Sequence, residues 1–217
     1  MTVTSMPRDR GASGAASAAT RRDDTGGFRR RLLDGLAASI EDKGYRTTTV
    51  ADIVRRARTS RRTFYEHFSG KEACFVALIT HANAEMIHDI VAAVDRSAPW
   101  ANQVRQAVEA WIACSEAEPA LVLSWIRDVP SLGDAARRVQ REVMEAFVET
   151  IQTFCDTDEW RAAGGAGPVP RQLVIMLLGG LRELIATTVE DGGRMGDVTE
   201  VAVQASIALL DPRRGGG

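Results

Sequence analysis

Apolar residues recur through most of this chain at spacings of three and four, the pattern of helices that bury one face. Phe28, Leu32, Leu33, Leu36, Ala37 and Ile40 predict a first helix from about Phe28 to Lys43, closed by Gly44. Val50, Ile53, Val54 and Ala57 stand at i, i+3, i+4 and i+7 and predict a short second helix. Phe64 and Phe68, one turn apart, predict a third. From Lys71 to about Asp95 the stripe of Phe75, Leu78, Ile79, Met86, Ile90 and Val94 predicts one long rod. Further helical patterns cover about 101–117, 119–129, 132–156, 169–190 and 197–210. Pro99, Pro119, Pro130, the loop at 162–168 and Asp191-Gly192-Gly193 break them. No strand-like alternation stands out. The expected fold is all-α: a three-helix head at 28–73 and a larger helical body at 74–211. Residues 1–27 and 212–217 hold almost no large apolar side chain and are expected to be disordered tails.

The polar positions between Thr48 and Lys71 carry the chemistry. Thr49 and Asp52 form a capping box before the second helix, Ser60 is a natural N-cap for the third, and Ser69 with Glu72 repeats the box for the rod. With Phe64 and Phe68 turned inward, Arg61, Arg62, Thr63, Tyr65 and His67 point outward. Arginine can fork onto guanine O6 and N7, and threonine can touch a thymine methyl. Tyr65, His67 and Lys71 suit phosphate oxygens. A helix, a tight turn and a second helix with such a face is the helix-turn-helix arrangement, which places its second helix in the major groove.

Residues 28–79 resemble the DNA-binding domain of the TetR family of bacterial transcriptional regulators. The matching residues are Gly44-Tyr45, TTVADIV at 48–54, Ala57, Ser60-Arg61, TFYEHF at 63–68 and SGKEA at 69–73. One departure is in the turn, where the family usually has glycine and this chain has Arg58, followed by Thr59 in place of a common valine. The candidate DNA contacts are Thr48, Thr49, Arg58, Ser60, Arg61, Arg62, Thr63, Tyr65, His67 and Lys71. The resemblance implies a double-stranded operator, a dimer, and a body that holds a small effector.

Charge agrees with this division. The whole chain carries −2, but residues 28–71 hold eleven Lys and Arg against five Asp and Glu, while residues 72–217 hold twelve against twenty-one. A basic head on an acidic body puts the attraction for phosphate where the motif lies. Arg29, Arg30 and Arg31, at the start of the first helix, point to further phosphate contacts or a solvated start, and Arg21 and Arg22 could form a minor-groove arm, although a solubilising tail is the simpler reading.

In the body, the apolar residues Trp111, Cys114, Trp125, Met144, Phe147 and Met176 are the candidate lining of a pocket for a hydrophobic or aromatic effector. The stretch LVIMLLGGLRELIATTV at 173–189 is apolar nearly all round, with one charged pair at Arg182-Glu183. Such a helix has to be covered on every side. Leu173, Leu177, Gly180, Leu181 and Leu184, with Val201 and Ala205 of the last helix, are therefore the expected homodimer interface.

Other functions find little support. The three histidines lie between 67 and 88, and G-x-S-x-G, Walker and HExxH motifs are absent, so no enzyme and no cofactor is expected. Cys74, His81, Glu85 and His88 lie near one helix face and could be read as a metal site, but surface placement is the simpler reading. Cys74, Cys114 and Cys155 are odd in number and widely spaced, so no disulfide framework is expected. No apolar run was expected to span a membrane, and the start lacks a signal-peptide core, so the expected compartment is the cytoplasm. The alternatives are a DNA-binding regulator without an effector and a thiol- or metal-responsive one.

Overall fold

The computed structural model describes residues 12–165, 168–211 and 213, and every element in them is helical. Helix α1 spans Ala12–Thr47 and is kinked at Gly44, whose φ of 77° only glycine adopts freely. The predicted stop at Gly44 is thus a real break, with one more turn, Tyr45–Thr47, beyond it. The start differs from expectation: the helix begins at Ala12, not Phe28. Lengthening an existing helix adds a hydrogen bond per residue without a new nucleus, and this segment is rich in alanine. Composition revealed its scarcity of large apolar residues but not its helical propensity. Residues 1–11 of the expected tail lie outside the described residues, as does most of 212–217.

Two short helices follow, α2 (Val50–Arg56) and α3 (Arg61–His67). Both predicted starts are present. The Thr49 hydroxyl accepts from the Asp52 backbone N–H while the Asp52 carboxylate accepts from the Thr49 N–H, and Ser60 caps α3 through the Thr63 N–H. Lys43 adds a 2.6 Å ion pair to Asp52, which holds this carboxyl well below the usual carboxylate range. Leu32, Leu36, Ile53, Phe64, Cys74 and Phe75 are completely buried and make the centre of the head. Gly35 permits the close crossing of α1 and α2: a Cβ there would lie 2.8 Å from the Ile53 carbonyl oxygen.

Helix α4 (Lys71–Ala93) is the predicted rod, but its capping box is not formed. Gly70 takes the N-cap position without a side-chain cap, and the Glu72 carboxylate accepts instead from the Gly133 N–H of the body. The rod carries Phe75 in the head core and Asn83 and Met86 in the wall of a body cavity. The body comprises α5 (Trp100–Ala117), α6 (Pro119–Arg127), α7 (Asp134–Phe154), α8 (Asp158–Ala162), α9 (Arg171–Glu190) and α10 (Thr199–Leu209). Single 3-10 turns lie at Val129–Ser131 and Met195–Val198. Helix α8, one turn capped by Thr157, is too short to leave a periodic pattern and was not anticipated.

Polar contacts tie the head to the body: Arg46 reaches Asp128 at the end of α6 at 2.7 Å, and Glu72 holds Gly133. Within the head, Tyr45 stacks on Phe75 at 4.1 Å between centroids. Within the body, Arg127 joins α6 to Glu183 and Glu190 of α9 by four hydrogen bonds. Arg105 of α5 joins Glu200 of α10. By length and composition α9 could cross a membrane, contrary to the expectation that no run reached that length. Arg182 and Glu183 interrupt its apolar run. In the fold, Val174, Leu178 and Ile185 turn it into the body.

Candidate nucleic-acid interface and ligand cavity

The turn between α2 and α3 is built by Arg58, with φ 50°, the one non-glycine residue with positive φ among those described. It closes with hydrogen bonds from the Ala57 N–H to Ile53 and from the Thr59 N–H to Val54. The left-handed backbone costs a non-glycine residue about 1 kcal/mol. In return the exposed Arg58 guanidinium stands beside the turn, and neither it nor Arg61 has an ion-pair partner among the described residues.

On α3, Phe64 is fully buried and Phe68 nearly so, which fixes the helix rotation. Arg61, Arg62 and Tyr65 are exposed as expected, Tyr65 by 58%, and Thr63 and His67 are half-buried at the edge of the face. Glu66 shares this face and pairs with Arg62 at 3.1 Å, a contact the sequence reading overlooked although i,i+4 spacing signals it. Ser60 and Thr49 are exposed, but their hydroxyls are engaged as caps.

Two expected DNA contacts are placed elsewhere. Thr48 is buried, and its hydroxyl donates to the Ser39 and Gly44 carbonyls. The Lys71 ammonium donates to the carbonyls of Tyr45, Arg46 and Thr48 and lies 4.3 Å from the Tyr45 ring centroid. It adds a charged donor at the C-terminal end of α1, where the Tyr45 carbonyl also accepts from the Thr48 N–H. Burial lowers its pKa, opposed by Asp128, and burial with nearby Glu72 and Asp128 pushes the Tyr45 phenol up to about 12. Of the arginines at the start of the first predicted helix, Arg29 lies over Phe68 and Arg31 over Phe28.

The body contains a cavity of about 270 Å³ bounded by α4, α5, α6, α7 and α9. Five of the six expected lining residues, Trp111, Cys114, Trp125, Met144 and Phe147, meet in it. Met176 does not: it is 63% exposed on the outer face of α9. Arg182 lines the cavity and was overlooked. A second cavity of about 80 Å³ shares Trp111, Phe147 and Leu178 with the first. Burial raises the Cys114 thiol, with Asp89 adding to the effect, and pushes Cys74 and Cys155 up to about 12. Cys74 sits in the head core, while His81 pairs with Glu85. Among the described residues no three metal-ligating side chains are grouped to hold an ion.

The expected dimer residues divide. Leu177 and Leu181 are buried within the body and line the second cavity, so they belong to the core. Leu173 and Leu184 are half-buried. Gly180, Val201 and Ala205 are exposed, together with Met176 and Gly179, and a Cβ at either glycine would meet nothing within 4 Å.

Residues 32–78 match the family described as bacterial regulatory proteins, tetR family. The A-factor receptor protein of Streptomyces griseus is 34% identical over 50 residues, 23% of this chain and 18% of that protein. The match therefore spans under a fifth of the relative. Among solved structures, the fatty acid degradation regulator FadR from Bacillus halodurans superposes with a TM-score of 0.65 at 16% identity, covering 82% of this chain and 93% of that one. FadR from Bacillus subtilis, in complex with stearoyl-CoA, does so with 0.65 at 14%, covering 85% and 98%. A TetR-family regulator from Streptomyces coelicolor gives 0.63 at 22%, covering 94% and 98%. At these identities the structural likeness establishes the fold.

Proposed function

We propose that this chain, a TetR-family transcriptional regulator by its head, binds a palindromic operator as a homodimer in the cytoplasm, represses from it, and is released by a small effector in the body cavity. The outward face of α3 carries the DNA reading. Arg61, Arg62 and Thr63 read base edges, and Thr49, Arg58, Ser60, Tyr65 and His67 serve the backbone. Two such helices about 34–36 Å apart enter successive major grooves. The uncovered α9–α10 face with Met176, Gly179, Gly180, Val201 and Ala205 supports the dimer, since helices meeting at glycines approach closely. The head at 28–73 and the body at 74–211 act as reader and sensor, joined through α4.

The cavity supports the effector. Its wall includes Trp125 of α6, and three residues later Asp128 holds Arg46 of the head. Filling the cavity displaces α6, shifts this tether and changes the spacing of the two heads. The effect is reciprocal: operator weakens effector binding by the same factor. The related A-factor receptor and the FadR solved with stearoyl-CoA make a ligand-responsive body the natural comparison.

The test is a gel shift of purified protein against its own upstream DNA over a salt series, with sedimentation alongside. A specific shift that Arg62→Ala and Thr63→Ala relax by about 1–3 kcal/mol at a contacted base supports the reading. Equal affinity for every DNA, before and after these changes, overturns it. Gly180→Leu is expected to give a folded monomer; a variant that stays dimeric removes this face from the dimer.

A further inference from the structure

Arg182 is a cation on the wall of the larger cavity that forms no ion pair among the described residues. Its guanidinium lines the larger cavity 5.6 Å from the centroid of Trp125, and its Nε is buried without a hydrogen-bond partner. Among the described residues it makes no hydrogen bond or ion pair. The adjacent carboxylate, Glu183, is already held by both terminal nitrogens of Arg127, whose Nε takes Glu190. Desolvation lowers the Arg182 pKa, but a guanidinium remains charged at neutral pH. The side chain is half-buried, and its buried Nε is a donor that is costly to leave without an acceptor.

The surroundings narrow what that is. The walls nearest Arg182 in sequence and space, Trp125, Leu178 and Ile185, are apolar. The second cavity, beyond Trp111, Phe147 and Leu178, offers apolar room for a tail if one of these side chains rotates. Three carboxylates, Glu85, Asp89 and Glu118, also line the larger cavity and are exposed. They disfavour a ligand with several negative charges and leave one anionic group, seated on Arg182, as the fitting head.

We infer that the cavity takes a monoanionic, otherwise apolar ligand, a carboxylic acid with an alkyl or aryl body, whose carboxylate is held by Arg182. This deepens the effector reading and rests on it. The acid forks onto the guanidinium while Trp125 covers it. Because Arg182 adjoins Glu183 in the Arg127 clasp, the new anion also competes for charge in the link between α6 and α9.

The experiment uses the full chain without DNA, so that operator binding plays no part. Tryptophan fluorescence is titrated with decanoate and 4-phenylbutyrate, each beside its methyl ester. The acid is expected to bind about tenfold or more tightly than its ester. Arg182→Met is expected to bring the two to equal affinity, and Arg182→Lys to restore part of the preference. Equal binding of acid and ester by the unaltered chain overturns the inference and leaves the effector cavity standing. Binding of neither overturns both. A preference that survives in Arg182→Met also overturns it, by placing the anion elsewhere. If Arg182→Met does not fold, the contrast rests on the unaltered chain and Arg182→Lys, and an unaltered preference in the lysine variant overturns the forked contact.

Discussion

Removing the ammonium of Lys71 separates two roles that its position in the sequence leaves merged. In Lys71→Met the stem stays, but the carbonyls of Tyr45, Arg46 and Thr48 lose a donor at 2.9, 3.3 and 2.9 Å. The Tyr45 ring loses its cation at 4.3 Å. A hydrogen bond from a charged donor contributes about 1.5–3 kcal/mol, and an exposed cation–π contact about 0.5–1 kcal/mol. Water replaces part of this, because Lys71 is only half-buried, and desolvation already opposes its charged form. A net loss of about 2 kcal/mol is the working figure. With a urea slope of about 1–3 kcal/mol per molar, the unfolding midpoint falls by about 1 M. A salt series then reads the other role. Each phosphate contact contributes about 0.9 to the slope of log affinity against log salt, so a dimer losing two would lose about 1.8. An internal Lys71 leaves the slope unchanged. An unchanged urea midpoint with a slope smaller by about 1.8 would refute the assignment.

Three further changes probe the packing, the coupling and the thiols. Gly35→Ala drives a Cβ to 2.8 Å from the Ile53 carbonyl oxygen and 3.1 Å from the Ala57 nitrogen. As both are backbone, a loss of about 1–3 kcal/mol is expected in urea melts, and an unaltered melt would contradict the crossing. Asp128→Asn removes the charge opposite Arg46; paired gel shifts with and without effector should show a smaller effector response, and a full response would rule out this route. With Cys74 and Cys155 pushed up to about 12 and Cys114 raised less, a thiol reagent at pH 7.5 is expected to label Cys114 alone in the folded chain. Rapid labelling of all three would revive a thiol-responsive regulator.

The head was legible because its signals are local. Caps, the two phenylalanines and the break at Gly44 each depend on a few adjacent residues, and the left-handed turn at Arg58 is signalled by the glycine that the resembled family usually has there. What failed depends on side-chain reach or helix rotation. Lys71 at the start of a helix looks like a phosphate contact until the end of α1 is seen folded against it. Thr48 sits beside the exposed Thr49 yet points the other way. In α9, apolar all round, periodicity cannot choose a face, so Met176 was placed inward and Leu177 and Leu181 outward, the reverse of their positions. Arg182 was passed over for the same reason: a charge in an apolar run reads as an interruption until a cavity is found at its tip.

Helix α6 turns three neighbouring residues to different tasks. Trp125 faces the cavity, Arg127 clasps α9 and Asp128 holds the head. Residues of a helix are rotated by about 100° each, so Arg127 leaves on nearly the opposite side from Trp125, while Asp128, the C-cap, stands about 60° from Trp125. The arrangement has a consequence for descent. On the proposed effector reading, exchange of the side chain at 125 would retune what is sensed and spare the relay, so new specificities would arise by single substitutions. An inserted or deleted residue in the same stretch swings all three out of phase together. Lineages that keep the response are therefore expected to vary here in side chain and to stay fixed in length.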